Sequence, residues 1–255
     1  MSKVLNKMNY TAQIPMYKGS IWEYDMTSAG FTMAKKSGLL HKEEIKFLEN
    51  LPKQKRVVEL GLMLRDDPDL LKAVEYGIRK TIKKFCISNE INESDIISIK
   101  RDAVFSTRPA PILEIDGAKL HEANKYTSFF LFNRTELYWN TEKNKASWKG
   151  LGKEVVKRDS PYFLKFLLNI IKSCEKGSAR DIAYKLNNYR IQYISLKLEK
   201  ECYRECNKDG MYRHLVNLYN SAILTKSFPG FENLNPIYNY QEFIIPLFSV
   251  LWKQS

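Results

Sequence analysis

Between Asp66 and Cys86 the sequence carries a pattern that leaves few folds open. Asp66-Asp67-Pro68-Asp69 is a helix-entry signal, and beyond it Leu70, Leu71, Val74, Ile78, Ile82, Phe85 and Cys86 recur on one stripe, with Lys72, Glu75, Arg79, Lys80, Lys83 and Lys84 elsewhere. A long amphipathic helix must bury its stripe against a second layer. Apolar runs bounded by turn residues supply one: a hairpin over 96–106, then strands over 112–115, 126–132 and 135–139, separated by the turns Asp116-Gly117 and Asn133-Arg134. Shorter helices are expected over 29–36, stopped by Gly38, over 41–51, and from Pro52 onward, proline being suited to a first helical turn. Residues 1–140 therefore predict an α+β domain, an antiparallel sheet with flanking helices, the helical part spanning about 29–92.

Two acids stand out within that frame. In Ser20-Ile21-Trp22-Glu23-Tyr24-Asp25-Met26-Thr27-Ser28-Ala29-Gly30-Phe31 a short alternating strand delivers Asp25 to its end, and small residues then open a helix. An acid so placed can hold a divalent metal where a phosphate also has room to approach. Asp102 is the second acid, at the bend of the 96–106 hairpin. If the two strands are neighbours, the pair could hold two metals roughly 3.5–4 Å apart, a phosphoryl-transfer arrangement. Taken singly, Asp25 also reads as a helix N-cap and Asp102 as an ordinary turn acid. Lys53, Lys55 and Arg56 cluster where the helix after Pro52 begins, as cations for a phosphate or as a solvated face.

The net charge of +12 on 255 residues makes polyanions, nucleic acid above all, the expected partners. Lys143, Lys145, Lys149, Lys153, Lys157 and Arg158 crowd the segment 141–160 with Trp148, Gly150 and Gly152 among them, a composition suited to tracking a phosphate backbone and equally to a soluble linker. From Ser160-Pro161 to the end the pattern is helical, over 162–174, 178–200, 211–226 and from about 240, so 161–255 predicts an all-α lobe. Without a signal peptide, Cys86, Cys174, Cys202 and Cys206 are expected as reduced thiols in a cytosolic setting. Cys202 and Cys206 on a helical segment, with His214 beyond, form one close pair where a structural zinc site uses two, so core thiols are the expectation. No apolar run is long enough to span a membrane.

The order of these pieces resembles the palm and thumb of family B DNA polymerases, in a minimal or split form of phage-like kind. Tyr24-Asp25-Met26-Thr27-Ser28 keeps the Asp and Ser of that family's D-x-x-S-L-Y-P motif and lacks its leucine, tyrosine and proline. Ile99-Lys100-Arg101-Asp102-Ala103 keeps the second aspartate of Y-G-D-T-D-S and puts Lys100 and Arg101 where Asp-Thr would stand. Glu75-Tyr76-Gly77-Ile78-Arg79-Lys80 looks like the segment leading into that motif, and 148–161 is similar to the K-G-x-E-x-x-R-R-D-x-S-P stretch that joins palm to thumb. The short interval between Asp25 and Asp102 leaves a reduced fingers region without a clear K-x-x-x-N-S-x-Y-G motif, and no exonuclease domain precedes Asp25.

The resemblance implies that Asp25 and Asp102 are catalytic and bind two Mg²⁺ ions, that Ser28, Lys53 and Arg56 meet the triphosphate, and that Lys149, Gly150, Lys153, Lys157 and Arg158 hold a primer–template duplex. It also implies an all-α thumb, a second polypeptide carrying the missing parts, and the cytoplasm, the host's if viral. Its rivals are an inactive palm-like nucleic-acid-binding or scaffold subunit, in which Lys100 and Arg101 pair with Asp102 in place of a metal, and a metal-dependent nuclease, for which no third carboxylate stands at a persuasive spacing.

Overall fold

The computed structural model describes residues 4–14, 16–132, 135–140, 142–143, 145–150, 204–206 and 212–214, with positions 184, 188, 192 and 197. The chain divides into two compact units, residues 1–13, 18–128 and 140–144 in the first and residues 14–17, 129–139 and 145–255 in the second.

In the first unit β1 (Asn9–Thr11) and β2 (Met16–Met26) precede four helices, α1 (Ala29–Ser37), α2 (Lys42–Asn50), α3 (Lys53–Asp66) and α4 (Pro68–Ser88). Local chemistry sets their ends. Gly38 closes α1 at φ 72°. A capping box opens α2, in which the Glu44 carboxylate accepts from the His41 N–H at 2.7 Å. Pro52 precedes α3, and the Asp67 carboxylate accepts from the N–H groups of Asp69 and Leu70 at 2.9 and 3.0 Å to start α4, whose first residue is Pro68. Then follow β3 (Ile96–Lys100), β4 (Ala103–Ser106), β5 (Glu114–Ile115) and β6 (Ala118–Phe132). Sequence spacing predicts all four helices and the 96–106 hairpin.

The sheet order β1-β3-β4-β2-β6 explains what the helices are for. Since β4 pairs antiparallel with both β2 and β3, β2 and β3 run parallel with β4 inserted between them. The path from β2 through four helices to β3 is thus a split β-α-β unit, whose helices cover one face of the sheet. Leu70, Val74, Ile78, Ile82, Phe85 and Cys86 on α4 pack into one core with Tyr24 and Met26 of β2, Ile96 and Ile99 of β3 and Val104 of β4. Each such side chain stabilises the fold by about 1.5–3 kcal/mol when taken from water. Alternation puts Ile21, Glu23 and Asp25 on the opposite face. There Phe105 stacks on Tyr126 at 6.4 Å between centroids, and the buried Glu23 carboxylate accepts from Asn124 Nδ2 and the Tyr126 hydroxyl, both at 2.7 Å.

In the second unit the end of β6 is followed in the sheet order by β7 (Thr135–Asn140) and β8 (Lys145–Lys149). Leu137, Tyr138 and Trp139 are fully buried, and Tyr138 meets Phe129 at 5.0 Å. Two expectations are corrected here. Lys145–Lys149 is a strand and not a connector, since alternating Ala146 and Trp148 suit a pleated surface. Arg204–Cys206 (β9) and Tyr212–His214 (β10) pair antiparallel, with Cys206 opposite Tyr212, where helical segments were expected. The intervening sequence carries Asp209-Gly210, a hairpin signal that the 3.6-residue reading passed over. Tyr184, Asn188 and Gln192 are helical as expected. The other helices assigned to the all-α lobe, like Lys153, Lys157, Arg158, Cys174 and Cys202, lie outside the described residues.

Candidate functional site

Because β2 and β3 are parallel, their carboxyl ends fall on the same edge of the sheet, the edge where α/β-type folds hold ligands. The Met26 N–H donates to the Asp102 carbonyl at 3.1 Å, and Asp25 stands in register with Ala103 on β4, so the two acids sit one step apart across adjoining strands. Asp102 belongs to the two-residue turn of the β3–β4 hairpin. Its partner there, Arg101, has φ 54° and donates its backbone N–H to the Met8 carbonyl at 2.8 Å. Positive φ at the first central residue is what a type II′ hairpin turn needs, and glycine is the usual occupant.

A cavity of about 400 Å³ opens at this edge. Asp25 and Asp102 line it at the sheet end, Ser28, Ala29, Gly30 and Phe31 at the start of α1, Lys53, Arg56, Val57, Leu60, Gly61 and Leu64 along α3, and Glu75 with Val74 and Ile78 along α4. Five residues singled out from sequence, Asp25, Ser28, Lys53, Arg56 and Asp102, therefore meet in one cleft. Lys149 and Gly150 fall in the second unit, and Lys153, Lys157 and Arg158 lie outside the described residues.

Each side chain has a distinct setting. Ser28 caps α1 through its backbone in a left-handed conformation, φ 49°, and makes no side-chain cap bond, so the first N–H groups of α1 are directed to the cleft end of the helix. Of the four described non-glycine residues with positive φ, Ser28 and Arg101 both line the cavity, and strained backbone of this kind gathers at ligand sites. Lys53 is exposed, with no ion pair or hydrogen bond among the described residues, and the carboxylates of Asp102 and Glu75 are likewise without such partners.

Arg56 behaves differently from a phosphate ligand. Its Nε donates to the Leu48 carbonyl at 2.8 Å and its Nη2 to those of Leu51 and Glu49 at 3.0 and 3.3 Å, closing the C-terminal end of α2, while the guanidinium lies 5.0 Å from the Phe31 ring. A cation at a helix C-terminus satisfies orphan carbonyls. Lys100, the other residue expected near Asp102, donates Nζ to Thr11 Oγ1 at 2.9 Å on β1.

Sequence spacing missed two features. Glu75 adds a third carboxylate to the lining from α4, beyond the reach of a strand-end argument. Gly61 sits mid-helix in α3, where no atom lies within 4 Å of an added Cβ and the helix has no need of glycine. What it leaves open is the cavity wall.

Hard carboxylate oxygens suit Mg²⁺. Among the described residues no group of three or more His, Cys, Asp or Glu side chains is placed to hold one metal ion. No helix among the described residues is long and apolar enough to cross a membrane.

The family described as bacteriophage PBS1 gene 130 protein matches residues 1–247, and the chain belongs to that family. No curated protein matches it.

Proposed function

We propose that this member of the PBS1 gene 130 protein family is a polymerase-type nucleotidyltransferase, joining a nucleotide to a primer 3′-hydroxyl in the cleft between the β2–β3 edge and α3. The observation that carries the reading is the shared lining, in which Asp25 and Asp102, one step apart on adjoining strand and turn, belong to the wall of one cavity of small-ligand size together with the N-terminus of α1 and the unpaired Lys53.

In this reading Asp25 and Asp102 hold two divalent ions, Mg²⁺ by donor chemistry, together with phosphate oxygens. When bound, such ions lower the pKa of the primer hydroxyl and neutralise charge on the leaving pyrophosphate. The chain's own residues do the rest. The first N–H groups of α1, presented by the left-handed Ser28, orient a phosphate at the positive end of the helix. Lys53 neutralises the triphosphate from the start of α3. Arg56 acts indirectly, tying α2 to α3 and packing on Phe31 so that the α1 and α3 walls keep their spacing. Val57, Leu60, Gly61 and Leu64 give the reacting end an apolar wall. Lys149 and Gly150, with Lys153, Lys157 and Arg158, hold the backbone of the primer–template duplex. Residues 161–255 form the thumb-like lobe, a second polypeptide is the protein partner, and the host cytoplasm is the place of action.

One observation favours a second reading, a non-catalytic palm-like nucleic-acid or scaffold subunit: Arg101, the neighbour of Asp102 in the turn, brings a cation into the lining of the same cavity. Primer extension separates the two. Asp25→Asn and Asp102→Asn are each expected to abolish Mg²⁺-dependent extension of a labelled primer while leaving DNA affinity within about twofold, because neither acid contributes a cation to the phosphate contacts. If the unaltered chain, alone and with any partner chain, never extends a primer, the scaffold reading replaces the first.

A further inference from the structure

The solvent-facing row of α4 is distinct from its core stripe and from the cavity. Successive residues of that row, Lys72, Tyr76, Lys80 and Lys84, lie four apart and so form one line along the helix. Lys72 is matched by Asp69 at 3.2 Å. The remainder is not balanced in this way. From Tyr76 to Ser88 the helix carries Arg79, Lys80, Lys83 and Lys84 and no acid. Lys84 meets the Asp116 carboxylate at 2.5 Å, and Lys36, from the last turn of α1, donates to the Asp116 carbonyl. Anchoring the β5–β6 turn accounts for Lys36 and Lys84. Lys80 adds only an attraction to Asp116 with no contact, and the turn does not account for Tyr76, whose side chain is 58% exposed with the Lys80 ammonium 5.9 Å from its ring centre.

An exposed aromatic flanked by cations at one-turn spacing is the combination that binds single-stranded nucleic acid, the ring stacking on a base and the cations meeting phosphates. The row also begins beside the cleft, since Glu75 lines the cavity and Tyr76 is its neighbour, and it runs about 12 Å from Tyr76 to Lys84 at the helical rise per residue. We propose that the row of Tyr76 and Lys80, with Arg79 at its side and the Asp116-paired Lys84 at its far end, is a track for a single-stranded nucleic-acid segment leading to or from the cleft. The proposal rests on the nucleotidyl-transfer reading for the cleft's role alone, and the track itself is testable without catalysis.

The test uses the full chain and a short labelled oligothymidylate, with affinity measured by anisotropy across a salt series and folding checked by thermal unfolding. Tyr76→Ala is expected to weaken binding about tenfold by removing base stacking. Lys80→Gln is expected to weaken it and to flatten the dependence of log affinity on log salt by about 0.7 for each phosphate that is no longer neutralised. Arg79→Gln gives a second cation variant. Affinity and salt slope unchanged in Tyr76→Ala and Lys80→Gln overturn the proposal. So does a loss confined to the cation variants and shared equally by heparin, which marks a polyanion patch without base stacking. Binding that falls in these variants while Asp25→Asn binds normally, in a chain that never extends a primer, sinks the cleft reading and leaves the track. Extension that proceeds with binding indifferent to both substitutions sinks only the track.

Discussion

Arg101 stands in a backbone region that costs an ordinary residue about 1–2 kcal/mol, at the tip of the hairpin that carries Asp102. Its side chain has no ion pair or hydrogen bond among the described residues to offset that cost. Arg101→Gly is therefore expected to raise stability by about 1 kcal/mol, read as a higher midpoint in urea unfolding. An unchanged or lower midpoint would mean that the arginine is held by something stronger than its turn. Asp116 makes a pH statement. The Lys84 ammonium beside it keeps its carboxyl below the usual range. A depressed folded pKa gives stability that is present above the unfolded carboxylate value and is lost as pH falls through the lower folded one. Asp116→Asn should therefore make the acid limb of the stability curve shallower, by a small and salt-sensitive amount because the group is exposed. Thermal scans from neutral to acid pH read this directly. At this scale the sequence was informative about Asp25 and Asp102, because a strand end and a hairpin bend are local patterns. It was not informative about Arg56, whose partners are the α2 carbonyls of a tertiary turn, or about Glu75, which reaches the cleft only because α4 packs beside α3.

Among the elements, the helices α1 and α4 are packed against one another through Met33 and Gly77. A Cβ on Gly77 would lie 2.8 Å from Met33 Sδ and 3.3 Å from Met33 Cβ, so the glycine is what lets the two helices touch. Gly77→Ala gains helix propensity of up to about 1 kcal/mol yet forces Met33 or the helix to shift, an overpacking cost of about 1–3 kcal/mol. Net destabilisation by about 1 kcal/mol is expected in urea unfolding, with partial recovery in a Met33→Ala background, where only the 3.3 Å Cβ contact remains. Stabilisation by Gly77→Ala alone would contradict this account of the interface. The helices were readable because each carries its own stop or start, Gly38, Glu44, Pro52 or Asp67, within a turn of its boundary. The strands β8, β9 and β10 were not, since short runs rich in lysine, arginine or tyrosine fit two periods equally and only pairing decides between them.

On the scale of the whole molecule, the property on which the proposed function depends is a matter of strand order. Nothing in the sequence states that β4 lies between β2 and β3, yet that order makes β2 and β3 parallel and brings the ends that carry Asp25 and Asp102 to one edge, where both residues line a cavity with α1 and α3. The most direct measurement of this arrangement is Mn²⁺ binding to the full chain, followed by electron paramagnetic resonance with and without a nucleoside triphosphate. Two acids that hold their ions together with a triphosphate predict Mn²⁺ binding that tightens when the triphosphate is present and is abolished in both Asp25→Asn and Asp102→Asn. Binding left intact by either substitution, or indifferent to the triphosphate, would contradict that arrangement.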